Sequence, residues 1–85
     1  MIAGIYKLEN KINGKIYIGQ SINLIKRLRQ YKNIQCKGQT KIYNALKHYG
    51  WANFIVEILY QNDIEKITMN TLNELEEYFI KTHKS

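Results

Sequence analysis

The chain has 85 residues, enough for one domain with a small hydrophobic core, and its hydrophobic fraction of 45% and aromatic fraction of 12% are those of a globular protein. Its single cysteine, Cys36, excludes an internal disulfide and fits no metal-ligand spacing. No apolar run approaches the roughly 20 residues of a membrane span, and no signal peptide opens the chain. We therefore expect an intracellular protein, in the cytoplasm or, in a eukaryotic host, the nucleus.

The net charge of +6 is distributed unevenly along the chain. Residues 1–50 hold ten Lys and Arg and one acidic residue, whereas residues 51–85 hold three Lys and six acidic residues. A basic half beside an acidic half favours a surface that binds a polyanion, which in small intracellular domains is most often nucleic acid. A lysine-rich background composition is the alternative explanation.

A β-hairpin is predicted for residues 3–19, because two β-rich runs flank Asn13-Gly14. Side chains alternate between the two faces of a strand. A hairpin loop with an even number of residues then places Tyr6 and Tyr17 on the same face of the sheet. Two phenols on one face are either ordinary packing or one half of a site.

The first helix is predicted over about residues 24–31, where apolar residues recur at helical spacing. Ser21 or Asn23 can cap its start, since both side chains accept hydrogen bonds from free backbone N–H groups. Arg27 and Tyr31 are four residues apart and share a face of this helix.

A second helix and a third strand follow a loop over residues 32–39. Thr40 is the predicted N-cap of this helix, and Gly50 is placed to end it. Residues 54–60 are β-branched and aromatic and predict a strand. Because this run is nearly all apolar, we expect it in the centre of the sheet.

The last helix is predicted from a capping box, Thr71-x-x-Glu74, to about Thr82. Glu76 falls in the middle of its apolar arc, whereas Glu74 and Glu77 lie on the opposite side. The arc consists of Leu72, Leu75, Phe79 and Ile80. A carboxylate there is costly unless it is compensated, either by a structural partner such as Arg27 or a tyrosine hydroxyl, or by a divalent metal.

Together these elements predict an α/β fold in the order ββααβα. A small three-stranded antiparallel sheet is flanked by three helices, and residues 1–85 form a single domain.

The hairpin carries Gly4-Ile5-Tyr6 and Tyr17-Ile18-Gly19, and this pair of triplets resembles the name-giving motif of the GIY-YIG nuclease superfamily. Arg27 stands where that family has an arginine on the first helix. Glu76, followed by Tyr78, Phe79 and Ile80, matches the family's glutamate on a later helix. The resemblance covers nearly the whole chain and implies the same fold and an endonuclease that cleaves DNA phosphodiester bonds by hydrolysis, of the homing-endonuclease type.

The resemblance also implies the roles of five residues. Arg27 would hold the phosphate, and Glu76 would bind Mg²⁺ or Mn²⁺. Tyr6 and Tyr17 would position the attacking water, with Tyr6 as the suggested general base. Tyr31 stands where many phage intron-encoded members carry a histidine and some restriction-type members carry a tyrosine. This departure leaves open which residue relays protons.

Five basic residues are candidates for contacts to the DNA backbone, which give affinity with little sequence information. They are Lys15, Lys26, Arg29, Lys37 and Lys41. Family members usually have an asparagine soon after the last helix, and the chain stops at Ser85 before that segment. We therefore expect a domain cut from a longer protein, with a further DNA-binding domain or segment C-terminal to residue 85; a naturally minimal version of the domain is the alternative. The alternatives are a restriction or structure-specific repair nuclease of the same superfamily, and a non-catalytic nucleic-acid-binding module.

Overall fold

A computed structural model describes residues 1–35 and 38–83 of the chain. The elements are β1 (Ile2–Asn10), β2 (Ile16–Ser21), α1 (Leu24–Lys32), α2 (Thr40–Tyr49), β3 (Phe54–Asp63) and α3 (Met69–Thr82). Their order confirms the predicted ββααβα arrangement, with a three-stranded antiparallel sheet and three helices. Within the described residues, no helix is both long enough and apolar enough to cross a bilayer.

The β1–β2 hairpin has the register that the sequence predicts. Tyr6 lies opposite Gly19, and Leu8 lies opposite Tyr17. The backbone N–H of Asn10 donates to the carbonyl oxygen of Lys15 at 2.9 Å, which leaves a connection of four residues. Because four is an even number, Tyr6 and Tyr17 share a face of the sheet, as expected.

The sheet has the order β2-β1-β3, so the prediction that the third strand is central was wrong. The central strand is β1, in which every residue from Ala3 to Tyr6 is buried. The outer strand β3 exposes Ile55 by 45% and Ile58 by 38%. Its apolar run resembled a strand covered on both faces, but strand order depends on which partners pair, and a run's own composition does not encode that.

Helices cover both faces of the sheet and divide the core in two. On one face, α1 and α2 pack around Tyr6, Leu8, Leu24, Tyr31, Ile42, Leu46 and Phe54. On the other face, Leu72 of α3 packs against Ala3 and Ile5. The tyrosines of the hairpin and the glutamate of α3 therefore approach the sheet from opposite sides.

Helix boundaries follow local capping chemistry, with two corrections. The Asn23 side chain accepts from the N–H of Lys26 at 3.2 Å and caps α1, as one of the two predicted residues. Gln39, not Thr40, is the N-cap residue of α2. The N-cap of α3 is Thr68, not Thr71, because the Thr68 hydroxyl accepts from the N–H of Thr71 at 3.2 Å. Threonine is a favourable N-cap residue at either position, and the capping-box spacing of Thr71 and Glu74 led to the wrong choice.

Gly50 ends α2, as predicted, with a φ of +84°. On α3, Leu72 is buried and Leu75 and Phe79 are half-buried, but Ile80 is 43% exposed. The buried part of the apolar arc is therefore narrower than predicted, because Ile80 lies in an open cleft beside Ile16 and Ile18 of β2. Ile22, just before α1, and Ile25, in its first turn, are likewise exposed.

Candidate active site

Three tyrosines from three elements meet on the α1–α2 face of the sheet. Tyr6 comes from β1, Tyr17 from β2 and Tyr31 from α1. Their ring centroids are 5.6 Å apart for Tyr6 and Tyr31, 6.4 Å for Tyr6 and Tyr17, and 6.5 Å for Tyr17 and Tyr31. The Tyr6 and Tyr31 hydroxyl oxygens are 2.5 Å apart and hydrogen-bonded.

A fourth side chain, that of Gln39, closes this cluster. Its amide oxygen accepts from the Tyr31 hydroxyl at 2.6 Å and from the Tyr17 hydroxyl at 3.1 Å. Sequence reasoning missed Gln39, because a glutamine at the end of a loop and the start of a helix carries no local signal. Only the folded chain brings it beside two phenols that lie far away in sequence.

The tyrosines differ in access to solvent. Tyr6 is 1% exposed and Tyr31 is fully buried, whereas Tyr17 on the outer strand β2 is only half-buried. Burial, the largest cause, raises the pKa of Tyr6 to about 12. Burial also raises the pKa values of Tyr17 and Tyr31 above the ordinary 10.0 of a phenol. All three phenols therefore carry their protons at neutral pH in the protein alone.

The glycines of the two triplets make room for this arrangement. A Cβ atom on Gly19 would collide with the hydroxyl and ring of Tyr6. A Cβ atom on Gly4 would collide with the backbone carbonyl oxygen of Tyr60 on β3. Because Gly19 has no side chain, the Tyr6 phenol can pack against β2. Because Gly4 has none, the backbone of β3 can lie close to β1.

Arg27 lies on α1, one turn before Tyr31, and is half-buried. With Ser21 and Ile22 it lines two adjacent shallow clefts where β2 runs into α1. Although burial dominates the pKa values of the three tyrosines, the positive charge of Arg27 lowers each of them. Arg27 is therefore close enough to the cluster to act on it electrostatically.

Glu76 is half-buried on α3, whereas Glu74 and Glu77 are exposed, as predicted. Burial raises the pKa of the Glu76 carboxyl. In turn, Glu76 raises the pKa values of Tyr6 and Tyr17, after the larger effect of burial. The structure thus brings Glu76 from the opposite side of the sheet to within electrostatic reach of both strand tyrosines.

A hydrogen bond between β2 and α3 helps to set the position of Glu76. The amide nitrogen of Gln20 donates to the side-chain oxygen of Asn73 at 2.6 Å. Asn73 precedes Glu76 by about one helical turn, so this bond fixes α3 against the strand that carries Tyr17 and Gly19. Neither amide residue gave a signal in the sequence.

The structural-partner explanation for Glu76 finds no support in the described residues 1–35 and 38–83. The ion pairs there join Lys7 to Glu9 and Glu57, and Lys81 to Glu77. In that same part of the chain, neither Arg27 nor Glu76 has an ion-pair partner, and the Glu76 carboxylate accepts no hydrogen bond from the protein. The cost of burying this carboxylate is therefore offset by neither of the two protein partners that the sequence suggested, Arg27 or a tyrosine hydroxyl.

The donor set around Glu76 fits a weakly held hard cation. No three His, Cys, Asp or Glu side chains of the described ranges converge on a metal position. A single carboxylate suits Mg²⁺, which keeps several waters and completes its shell with substrate oxygens. It does not suit a structural metal held by protein ligands alone.

The predicted DNA-contacting residues are exposed where the structure describes them. Lys26 lines the cleft that contains Arg27, and Lys15 and Lys41 line another that contains Tyr17. Arg29 is exposed in the last turn of α1. Lys37 lies outside the described residues. Contact with DNA stays a prediction for all five, as do the catalytic roles of the tyrosines, Arg27 and Glu76.

This fold and site define the class of protein. The chain belongs to the GIY-YIG catalytic domain family, whose model matches residues 2–85. It is an endonuclease domain. Tyr6, Tyr17, Tyr31, Arg27 and Glu76 are the residues for which the family resemblance implies roles, and those roles stay predictions.

Two solved structures are similar to the chain. One is a mutant of the catalytic domain of the intron endonuclease I-TevI, with 27% identity and a TM-score of 0.73, covering 96% of this chain and 84% of that one. The other is the catalytic domain of the homing endonuclease I-TevI, with 26% identity and a TM-score of 0.71, covering 94% and 86%. Comparison with curated protein sequences gives no match.

Proposed function

We propose that the chain hydrolyses DNA phosphodiester bonds with the help of a divalent cation, as a nuclease domain of the homing-endonuclease type acting inside the cell. One observation carries the proposal. Arg27 and Glu76, of opposite charge, both lie within electrostatic reach of Tyr6 and Tyr17, and among the described residues neither forms an ion pair. Both charges are therefore available to a substrate.

Arg27 is the phosphate-binding residue of this proposal. A guanidinium presents its N–H donors as a planar fork that matches two phosphoryl oxygens. Arg27 lies in an open cleft together with Lys26, where a phosphate can reach it. The negative charge that grows on the phosphoryl oxygens in the transition state is stabilised there.

Glu76 is the residue that would hold Mg²⁺ or Mn²⁺. A bound divalent cation supplies charge neutralisation at the phosphoryl and leaving oxygens, which side chains alone supply less well. The Glu76 carboxylate must be ionised to bind it. Burial opposes this ionisation, so cation binding and deprotonation of Glu76 are coupled.

Tyr6 and Tyr17 are the residues that position the attacking water. In the reaction the water oxygen forms a bond to phosphorus, the bond from phosphorus to the 3′ oxygen breaks, and the 3′ oxygen takes a proton from solvent. The proton of the attacking water passes to the Tyr6 phenolate. That phenolate is scarce at neutral pH, since burial holds the Tyr6 pKa at about 12, and the positive charge of Arg27 lowers the barrier to forming it.

The exposed basic residues extend the proposal to the partner. Lys15 and Lys41 on the Tyr17 side and Lys26 on the Arg27 side can each neutralise a DNA phosphate. Contacts to the phosphate backbone carry no sequence information directly, so we propose that target selection resides in a further DNA-binding domain or segment C-terminal to residue 85.

Plasmid nicking at low salt tests the proposal. Wild type is compared with Arg27→Ala and Glu76→Gln, each with Mg²⁺ and with EDTA. The matched controls are Arg29→Ala and Glu77→Gln, which change an exposed residue of the same type on the same helix. We expect cleavage by wild type and both controls with Mg²⁺ only, and a loss of about 100-fold or more in both site variants. Cleavage that persists in EDTA, or in folded Glu76→Gln, would overturn the metal role.

A further inference from the structure

The hydroxyl protons of the tyrosine cluster can be assigned from its geometry. The Gln39 amide oxygen has no proton to give, so Tyr31 and Tyr17 each donate their single proton to it, at 2.6 and 3.1 Å. Tyr31 then has no proton left for Tyr6. In the 2.5 Å contact between these two hydroxyls, Tyr6 is therefore the donor. Tyr6 thus donates to Tyr31, and Tyr31 and Tyr17 both donate to the amide oxygen of Gln39, so all three hydroxyl protons lie inside the cluster.

This assignment leaves the two strand tyrosines as acceptors. The Tyr6 and Tyr17 oxygens receive no hydrogen bond from any described residue, so their lone pairs remain for a group outside the cluster. A water molecule between them would donate to both. Its own lone pairs would then be turned away from the phenols, which is the orientation that nucleophilic attack requires.

Gln39 makes this contact instead of capping its own helix. It is the N-cap residue of α2, yet its side chain forms no capping hydrogen bond. Such positions usually hold Ser, Thr, Asp or Asn, whose short side chains reach back to the helix N–H groups. The longer glutamine side chain spans the site instead and joins the start of α2 to β2 and to α1.

We infer that Gln39 is a positioning residue of the nuclease site: its amide oxygen orients the hydroxyl protons of Tyr17 and Tyr31 directly, and that of Tyr6 through Tyr31, so that both strand tyrosines accept hydrogen bonds from the attacking water. The inference rests on the proposed function. An amide oxygen is too weak a base to take up a proton. The Tyr6 proton therefore leaves to solvent, and not to Gln39, before the Tyr6 phenolate can take up the proton of the attacking water.

Two substitutions separate the acceptor from the bulk of the side chain. Gln39→Leu keeps most of the volume and removes the oxygen, whereas Gln39→Glu keeps the acceptor oxygens. We expect Gln39→Leu to lower kcat by about tenfold, the worth of one hydrogen bond, with KM for plasmid DNA unchanged. Gln39→Glu recovers at least half of that loss. Gln35 is an exposed glutamine in the same connection between α1 and α2. We expect the control variant Gln35→Leu to cleave DNA as wild type does.

A purely structural role for Gln39 predicts another pattern. It would lower the stability of Gln39→Leu and leave kcat of the folded protein unchanged, and that result overturns the inference. If Gln39→Glu fails to recover activity, the inference is also overturned. Both variants lack the amide N–H donors of glutamine, so that result would mean that Gln39 acts as a hydrogen-bond donor and not as an acceptor.

Double-mutant cycles on the free energy of unfolding test the same network without any activity. We expect the effects of Gln39→Leu and Tyr17→Phe to be non-additive, and likewise those of Gln39→Leu and Tyr31→Phe. Additivity in both cycles overturns the inference even if the protein cleaves DNA. Conversely, coupling in both cycles with no cleavage by wild type would refute the proposed function and leave the hydrogen-bond network established, so the two failures are distinguishable.

Discussion

At the scale of one residue, the carboxylate of Glu76 is a group that serves the proposed site and lowers the stability of the folded protein. Its carboxylate is half-buried, and within the described residues no ion pair or protein hydrogen bond compensates for the burial. Burial raises its pKa above the ordinary 4.5. An uncompensated ionised group is unfavourable in the folded protein, and this cost is expected where a ligand supplies the missing partner.

Glu76→Gln should therefore stabilise the protein in the absence of metal. The folded carboxyl has the higher pKa, so between the unfolded and folded pKa values the folded protein binds more protons, and the free energy of unfolding falls as pH rises through that window. The glutamine variant has no carboxyl group at this position, so its free energy of unfolding does not fall in this way. In EDTA we expect it to be more stable than wild type at pH 7, with the difference disappearing as pH falls below about 4.5.

Urea unfolding at a series of pH values measures this difference. Glu77→Gln is the control, since Glu77 is exposed and forms an ordinary surface pair with Lys81 at 3.1 Å. We expect no stabilisation in that variant. A wild type that is more stable than Glu76→Gln at pH 7 in EDTA would mean that the carboxylate has a stabilising protein partner.

At the scale of the elements, two glycines of the hairpin allow close contacts that a side chain would prevent. Gly4 faces backbone, the carbonyl oxygen of Tyr60, and Gly19 faces the end of a side chain, the Tyr6 phenol. These obstacles differ in kind. A strand that is hydrogen-bonded along its length cannot move aside, whereas a phenol can tilt if it gives up its hydrogen bond to Tyr31.

Alanine at these two positions should separate stability from activity. We expect Gly4→Ala to cost about 3 kcal/mol of unfolding free energy, because backbone must shift, and Gly19→Ala about 1–2 kcal/mol. Gly19→Ala should nevertheless lose most of its cleavage activity while folded, since it displaces Tyr6. Gly38→Ala, with open space around its Cβ position, is the control and should match wild type. Equal activity in folded Gly19→Ala and wild type would contradict a role for the Tyr6 position.

The elements also show where sequence reasoning works. The shared face of Tyr6 and Tyr17, and the inward placement of Glu76 against Glu74 and Glu77, follow from the periods of a strand and a helix, which are local properties. The edge position of β3 depends on pairing between distant strands. The role of Gln39 depends on three elements closing around it, so no residue near it in sequence signals the contact.

At the scale of the whole molecule, the basic and acidic halves of the chain supply different elements of the fold. The basic half, residues 1–50, contains the hairpin, α1 and α2, and hence the tyrosine cluster and Arg27. The acidic half supplies β3 and α3. A DNA backbone is attracted to the first of these, and the clefts that hold Lys15, Lys26 and Lys41 lie there.

Lys15 and Lys41 should therefore contribute to DNA affinity through counterion release and not to the chemical step. We expect Lys15→Gln with Lys41→Gln to weaken binding to any DNA sequence and to reduce the slope of log affinity against log salt by about 2, near 0.9 for each phosphate that is no longer neutralised. Cleavage at saturating DNA should stay within about twofold of wild type. Lys66→Gln, an exposed lysine of the acidic half, is the matched charge control and should leave the slope unchanged. If instead all three lysines affect the slope equally, affinity reflects net charge alone, and the cleft beside Tyr17 is not the path of the DNA.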